Sequence, residues 1–160
     1  MRYVQNPALG AILLWRFVTA YSAAHKTSDA PILPLAFVVL PILLHHETFA
    51  ILKATQRLTG LHGFVDKFSR SGVERSDLLL AIHSRAESMR YLTIESLQEG
   101  VRHSLLSIST TDATLVALST TRPSGLASSV RPLLDGAEKF GMWCAQLTPF
   151  EIATALKVGL

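Results

Sequence analysis

The chain has 160 residues, 15 of them Lys or Arg and 12 Asp or Glu, with a net charge of +3 and a mean hydropathy of +0.33. Its length fits one domain, and its 17% share of charged residues lies below the roughly 25% of ordinary soluble domains. The mild charge excludes the dense basic stripe of a committed nucleic-acid binder, and a single cysteine excludes an internal disulfide or a thiol zinc cluster.

The first predicted helix begins after Asn6, a favourable N-cap, with Pro7 at its first position, where the missing N–H costs nothing. Apolar side chains recur at helical spacing along one face, which Leu14 and Val18 widen. The residues of this face are Leu9, Ile12, Leu13, Phe17 and Tyr21. Because the helix is apolar around so much of its circumference, we expect it to be the central helix around which the others pack.

Residues 32–44 contain no polar side chain and follow a short polar connection. Prolines within the run disfavour a buried strand, so we predict a second buried helix that starts near Pro34 and is kinked at Pro41. The run is too short to span a bilayer, and the apolar N-terminal segment lacks the flanks of a signal peptide. We therefore expect a cytoplasmic protein without a membrane anchor.

The polar pair His45 and His46 closes this run. Thr48 is the predicted N-cap of a third helix, which Gly60 ends. A short helix over residues 61–68 follows, with Leu61, Phe64, Val65 and Phe68 facing inward.

A polar loop over residues 69–75 is the best internal boundary. It separates an apolar N-terminal helical part, residues 1–70, from a more ordinary part, residues 76–160. We expect the two parts to form one compact unit.

The second part has the element order of a winged helix-turn-helix. Ser76 is the predicted cap of one helix, and Thr93 caps the next after a tight turn at residues 91–92. Residues 106–108 and 114–118 then alternate like the strands of a hairpin. The predicted fold class is mainly α, a multi-helix bundle with a winged-helix-like C-terminal part that carries one short β-hairpin.

Two further helices complete the chain. The first spans about residues 128–146, and the second begins at a capping box, in which Thr148 and Glu151 flank Pro149. The predicted inward side chains of the longer helix are Leu133, Leu134, Ala137, Phe140, Trp143 and Cys144.

The sequence offers little catalytic chemistry. It has neither a phosphate-binding glycine-rich lysine loop nor a dinucleotide-binding glycine motif. Adjacent His45 and His46 point about 100° apart on a helix, so they do not share one metal ion. Cys144 lies on a predicted inner face, where thiols behave as small hydrophobes. We therefore predict no enzyme, no cofactor, and no catalytic or metal-binding residue.

DNA contact requires outward basic or amide side chains on the second helix of the winged-helix part. That helix also carries Glu95 and Glu99, and the hairpin tip at residues 110–112 is not basic, so sequence-specific reading is disfavoured. Contact with the nucleic-acid backbone inside an assembly remains open, as does docking of a protein. The candidate backbone contacts are Arg85, Arg90, Arg102, His103 and Arg122.

Six motifs resemble the middle component of three-component ABC (ABC-3C) systems, and together they extend over nearly the whole chain. The first and the last are the most distinctive. The motifs are NPALGAILLWRF at residues 6–17, VLPILLH at 39–45, TGL at 59–61, RAESMR at 85–90, LTIESL at 92–97 and QLTPFEIA at 146–153.

Such systems are bacterial conflict modules proposed to act against phages and plasmids. The resemblance implies a small non-enzymatic adaptor between an SMC/Rad50-like ABC ATPase and an effector protein, and it brings no catalytic residues. An adaptor of this kind needs apolar surface for two partners, which agrees with the low share of charged residues. The low share of charged residues is also compatible with a homodimer. The alternative is a stand-alone winged helix-turn-helix regulator that binds DNA.

Overall fold

Eight α-helices and one antiparallel hairpin make up the part of the chain that the computed structural model describes, residues 6–70 and 73–160. The predicted mainly-α class with one short hairpin is therefore confirmed. The elements are α1 Pro7–Ala24, α2 Ala36–Leu43, α3 His46–Ala54, α4 Gly60–Ser69, α5 Val73–Ser88, α6 Arg90–Arg102, β1 Leu106–Ser109, β2 Thr114–Ala117, α7 Arg131–Cys144 and α8 Pro149–Leu156, with 3-10 turns at Leu33–Leu35 and Arg57–Thr59.

The first helix is the centre of the structure, as predicted. Asn6 Oδ1 accepts hydrogen bonds from the N–H groups of Ala8 (3.0 Å) and Leu9 (3.3 Å), which caps α1. The helix packs most extensively on α7 and α6, and it also touches α2 and β2. Leu13 and Phe17 have no exposed surface. The two parts drawn from the sequence thus contact each other along α1.

By length and composition alone, α1 could cross a membrane, with 18 residues and a mean hydropathy of 1.2, and half of it is buried within the protein. The segments Leu33–Leu43 and α3 together are also long and apolar enough to cross a membrane, but the chain bends by 97° between them. The core helix of a globular protein can have the length and hydropathy of a membrane span, so these two properties do not distinguish the two kinds of helix for α1.

The region after α1 departs from the sequence prediction at two helix ends. Pro41 lies inside α2, where its predicted kink stays a prediction, and a separate sharp bend comes after Leu43. The N-cap of α3 is His45, not Thr48, because His45 Nδ1 accepts the Thr48 N–H and Thr48 is buried inside the helix. Helix α3 stops at Ala54, so Gly60 does not end it. Gly60 is instead the first residue of α4, where it has a positive φ of 79°.

The helix boundaries around α5 and α6 also differ from the prediction. Ser76 lies inside α5, which begins at Val73, and residues 71–72 of the predicted loop lie outside the described residues. The break before α6 falls at Met89, so Thr93 is inside α6 rather than at its start. Thr93 is fully buried, and its hydroxyl has no hydrogen-bond partner in the described part of the chain.

The hairpin follows α6 directly, with Leu106 opposite Ala117 and Ser109 opposite Thr114. Ile32 forms an antiparallel bridge with Thr114, supported by the bond from Leu115 N–H to the Pro31 carbonyl (2.9 Å). The connection after α1 therefore lies alongside β2. The helix, helix and hairpin occur in the predicted order, and the winged-helix assignment itself stays a prediction.

The last two helices agree closely with the sequence prediction. All six predicted inward side chains of α7 are buried, although the helix is shorter than predicted, at Arg131–Cys144. The capping box of α8 is present, since the Thr148 N–H donates to Glu151 Oε2 (2.8 Å) and the Glu151 N–H donates to Thr148 Oγ1 (3.2 Å).

We predict that Gly141→Ala destabilises the protein by about 2–3 kcal/mol, because the new Cβ would lie 2.4 Å from the Phe17 carbonyl oxygen of α1. Alanine has a higher helix propensity than glycine by about 1 kcal/mol. This gain is smaller than the cost of moving the backbone of α7 away from that of α1. Urea denaturation measures the difference. In the control variant Gly159→Ala the new Cβ meets nothing closer than 3.6 Å, so its unfolding midpoint should equal that of the wild type.

Candidate interaction surfaces

Arg85, a predicted DNA contact, is directed into the protein. Its guanidinium donates to Thr48 Oγ1 (3.0 Å) and to the carbonyls of Leu78 (2.9 Å) and Pro41 (3.4 Å). The side chain therefore joins α5 to the junction of α2 and α3. Burial lowers the pKa of Arg85 from its ordinary value, while the charge of Glu47 raises it.

His45 belongs to the same network. Its Nδ1 lies 2.9 Å from Thr48 Oγ1 and accepts the Thr48 N–H, so capping α3 requires an unprotonated Nδ1. Burial, followed by the charge of Arg85, lowers the pKa of His45; Glu47 opposes the shift and His46 adds to it. A protonated Nδ1 cannot accept the Thr48 N–H, so protonation of His45 at this nitrogen removes the cap.

Arg102 and His103 lie together at the end of α6, which stops at Arg102, and both are exposed. Arg102 Nη1 contacts Glu99 Oε1 at 2.5 Å, and His103 Nε2 lies 3.2 Å from Glu99 Oε2. One carboxylate therefore holds both side chains and offsets the positive charge offered to a phosphate at this end of α6.

Arg122 contacts the carboxylate of Asp135 and lies 4.0 Å from Glu138. Glu138 also forms a partly buried ion pair with Arg16 of α1, at 2.8 Å, which joins α7 to the central helix. Arg90 is exposed at the start of α6, and it forms no ion pair with the side chains described for residues 6–70 and 77–160. Among those side chains, Arg90 is the predicted contact whose charged group has no ion-pair partner, apart from the internally bonded Arg85.

The thiol of Cys144 is fully buried, and this burial raises its pKa above the ordinary value. The thiolate is therefore strongly disfavoured at neutral pH. Among the described residues, no three His, Cys, Asp or Glu side chains are arranged to hold a metal ion.

Sequence reasoning missed a group of basic side chains at the end of α3. Lys139 Nζ donates to the carbonyls of Leu52 (3.2 Å), Lys53 (3.3 Å) and Thr55 (2.7 Å). Lys67 of α4 donates to the carbonyl of Ala54, at 3.2 Å, which lies between those of Lys53 and Thr55. Lysines from α4 and α7 thus cap the end of α3, and no local sequence motif predicts this role.

Several large apolar side chains point outward from ordered elements. Leu58, in the turn before α4, is 100% exposed; Tyr91 at the start of α6 is 82% exposed and Phe150 at the start of α8 is 79% exposed. Two of these positions are held by neighbouring structure: the Trp143 indole N–H donates to the Arg57 carbonyl next to Leu58 (2.8 Å), and Phe150 lies within the capping box. Apolar anchors of this kind are typical of protein interfaces.

Comparison with known protein families gives a match over the whole chain. The family model of the ABC-three component (ABC-3C) system Middle Component 3 matches residues 1–160. The chain belongs to this family. A search of curated proteins and a search of solved structures each found no match.

The family membership confirms the resemblance that the six sequence motifs indicated. The chain is therefore a component of an ABC-3C system. The motif at residues 6–17 is the buried helix α1 and its cap, and that at 146–153 includes the capping box of α8. Arg85, the first residue of the motif at 85–90, is the side chain that joins three helices of this Middle Component 3 protein.

We predict that Arg85→Ala lowers the stability of this Middle Component 3 protein by about 2 kcal/mol, because it leaves Thr48 Oγ1 and the Pro41 carbonyl without their donor. Thermal unfolding followed by circular dichroism measures the loss. Arg90→Ala, which removes an exposed arginine without an ion pair, should unfold like the wild type. Equal stability of both variants would contradict the structural role of Arg85.

We predict that stability decreases as the pH falls through about 6.5, the ordinary pKa of histidine. Because the folded state lowers the pKa of His45, the unfolded chain takes up the proton first, so this contribution is complete above that pH and is lost below it. His45→Asn keeps a capping side chain that does not titrate, and its unfolding free energy should change less between about pH 7 and pH 5. His62→Asn, which changes an exposed histidine outside this network, is the control and should retain the wild-type slope.

Proposed function

We propose that this chain is a non-enzymatic adaptor that couples the ABC ATPase of its ABC-3C system to an effector in defence against phages or plasmids, in the cytoplasm. The observation that carries the proposal is the match of the Middle Component 3 family model to all 160 residues. An adaptor that joins two other components of such a system would need a surface for each of them.

The exposed apolar side chains supply such surfaces. Tyr91 and Phe150 begin two different helices, α6 and α8, and Leu58 lies in a third region before α4. Exposed aromatic side chains of this size supply much of the binding energy at interfaces. Because their backbones belong to regular elements, little conformational entropy is lost when a partner covers them.

The charges on α6 also favour a protein-binding role. A helix that reads DNA needs basic or amide side chains directed outward, whereas Glu99 holds both Arg102 and His103. The exposed Glu95 adds further negative charge to this helix. These carboxylates would repel a phosphate backbone.

The second candidate is a stand-alone winged helix-turn-helix regulator that binds DNA. The order α5, α6, hairpin and the position of residues 31–33 beside β2 favour it. Under this alternative, Arg102 and His103 contact an operator, and binding falls steeply with salt concentration.

We predict that the ABC ATPase and the effector encoded with this chain associate only when the chain is present. Co-expression with an affinity tag on the ATPase, followed by size-exclusion chromatography, measures the effector retained. Omitting the middle component should remove the effector from the complex, and Phe150→Ala or Tyr91→Ala should reduce its amount severalfold, since each removes an exposed anchor.

The matched control for DNA binding is the double variant Arg102→Ala and His103→Ala. It should assemble like the wild type if the chain is an adaptor. Association of the ATPase and effector without the middle component, or loss of binding to a defined operator by the double variant, would favour the regulator instead.

A further inference from the structure

Helices α5 and α6 are separated by a single residue, Met89, which has φ −97° and ψ 8°. Breaks between consecutive helices are usually explained by proline, by glycine or by a side-chain cap. Residues 73–99 contain neither proline nor glycine, and no side chain caps the start of α6. The residues around the break, AESMR at 86–90, include several strong helix formers. Their local preference is therefore for one continuous helix.

Backbone hydrogen bonds are missing at this break. The Met89 N–H donates to the Arg85 carbonyl (2.9 Å), and the Thr93 N–H donates to the Met89 carbonyl (3.0 Å), as in an uninterrupted helix. Between them, the N–H groups of residues 90–92 form no such bond to the carbonyls of residues 86–88, all of which the structure describes. The Ser88 hydroxyl also donates to the Arg85 carbonyl (3.0 Å), which is a weak local contribution to the bend. A continuous helix would form the three missing bonds.

A side-chain hydrogen bond is also missing next to the break. The buried hydroxyls of Thr19, Thr55 and Ser96 each donate to the carbonyl four residues earlier, at 2.7–2.8 Å. For Thr93 that carbonyl belongs to Met89, but the Thr93 hydroxyl is fully buried and has no partner in the described part of the chain. In a continuous helix, the Met89 carbonyl would have the geometry that the other three hydroxyls use. The break therefore leaves the Thr93 hydroxyl unpaired.

Contacts with other helices, rather than the sequence of this segment, bend the chain at Met89. Helix α5 packs on α2, α4 and α8, whereas α6 packs most extensively on α1. Arg85 supplies the polar part of the α5 contacts, through Thr48 Oγ1 (3.0 Å) and the Pro41 carbonyl (3.4 Å). Local preference and tertiary contacts thus oppose each other at Met89. This opposition is the condition for an element with two arrangements.

We propose that Met89 is a hinge, and that α5 and α6 join into one helix over residues 73–102 when the Arg85 contacts are released. The joined helix would form the three missing backbone bonds and give the Thr93 hydroxyl its partner. It would also expose the surface of α2, α4 and α8 that α5 covers. A partner with higher affinity for this form would shift the equilibrium toward it. The hinge is a property of the chain alone and does not depend on the adaptor role.

Nuclear magnetic resonance of the full-length, 17.5 kDa chain tests the hinge through amide hydrogen exchange. In the bent form, the exposed Arg90 and Tyr91 have no backbone acceptor for their N–H groups, so these amides should exchange rapidly. In Arg85→Ala the same two amides should exchange at least about threefold more slowly, and the Met89 Cα chemical shift should move to a helical value. Simple destabilisation of the protein would speed the exchange of these amides instead.

Gly141→Ala is the matched control, since it destabilises the contact of α1 with α7 away from the hinge, and it should not slow exchange at these two amides. Adding Met89→Gly to Arg85→Ala should restore rapid exchange, because glycine disfavours the continuous helix. Thr48→Val, which removes one acceptor of Arg85, replaces Arg85→Ala if that variant does not fold.

Three results would overturn the hinge and leave the adaptor role standing. The first is unchanged or faster exchange at both amides in the Arg85 variant, or in the Thr48 variant that replaces it. The second is equal slowing in Gly141→Ala, because the effect would then not come from the release of α5. The third is slow exchange that persists when Met89→Gly is added.

Discussion

The close packing of α1 against α7 is the contact on which the rest of the structure depends. Gly141 brings the backbone of α7 against the carbonyl of Phe17, so that the two helices meet without an intervening side chain. Phe17 and Phe140 then pack with their ring centroids 5.5 Å apart. Helix α1 also packs against α6, α2 and β2, and α7 packs against α2, α3 and α4, so this pair contacts most of the other elements.

Burial of so much apolar surface obliges the polar groups beneath it to find partners inside the protein. The Arg16–Glu138 ion pair, the Arg85 network and the lysines at the end of α3 serve this need in three places. Each satisfies carbonyls, a hydroxyl or a carboxylate that would otherwise lose hydrogen bonds on leaving water.

The described surface of the protein carries several exposed apolar side chains. Tyr91 and Phe150 lie at the starts of two helices, and Leu58 lies in the turn before α4. Under the proposed adaptor role, such side chains on separate elements would contact different neighbours. The family match gives this arrangement its biological setting.

The sequence by itself determined the helical class, the central helix, the hairpin and the family, because periodic apolar residues, local caps and long motifs are written into consecutive positions. It also gave the inward face of α7 and both caps that rest on a local motif, at Asn6 and Thr148. Only the tertiary structure decided that His45 caps α3, that Arg85 is an internal donor, and that Lys67 and Lys139 meet at one helix end. Each of the last two roles joins residues far apart in the chain. A lysine or arginine bonds to a backbone carbonyl only if folding brings it to the end of a helix. The spacing of residues along the sequence does not show which helix end that is.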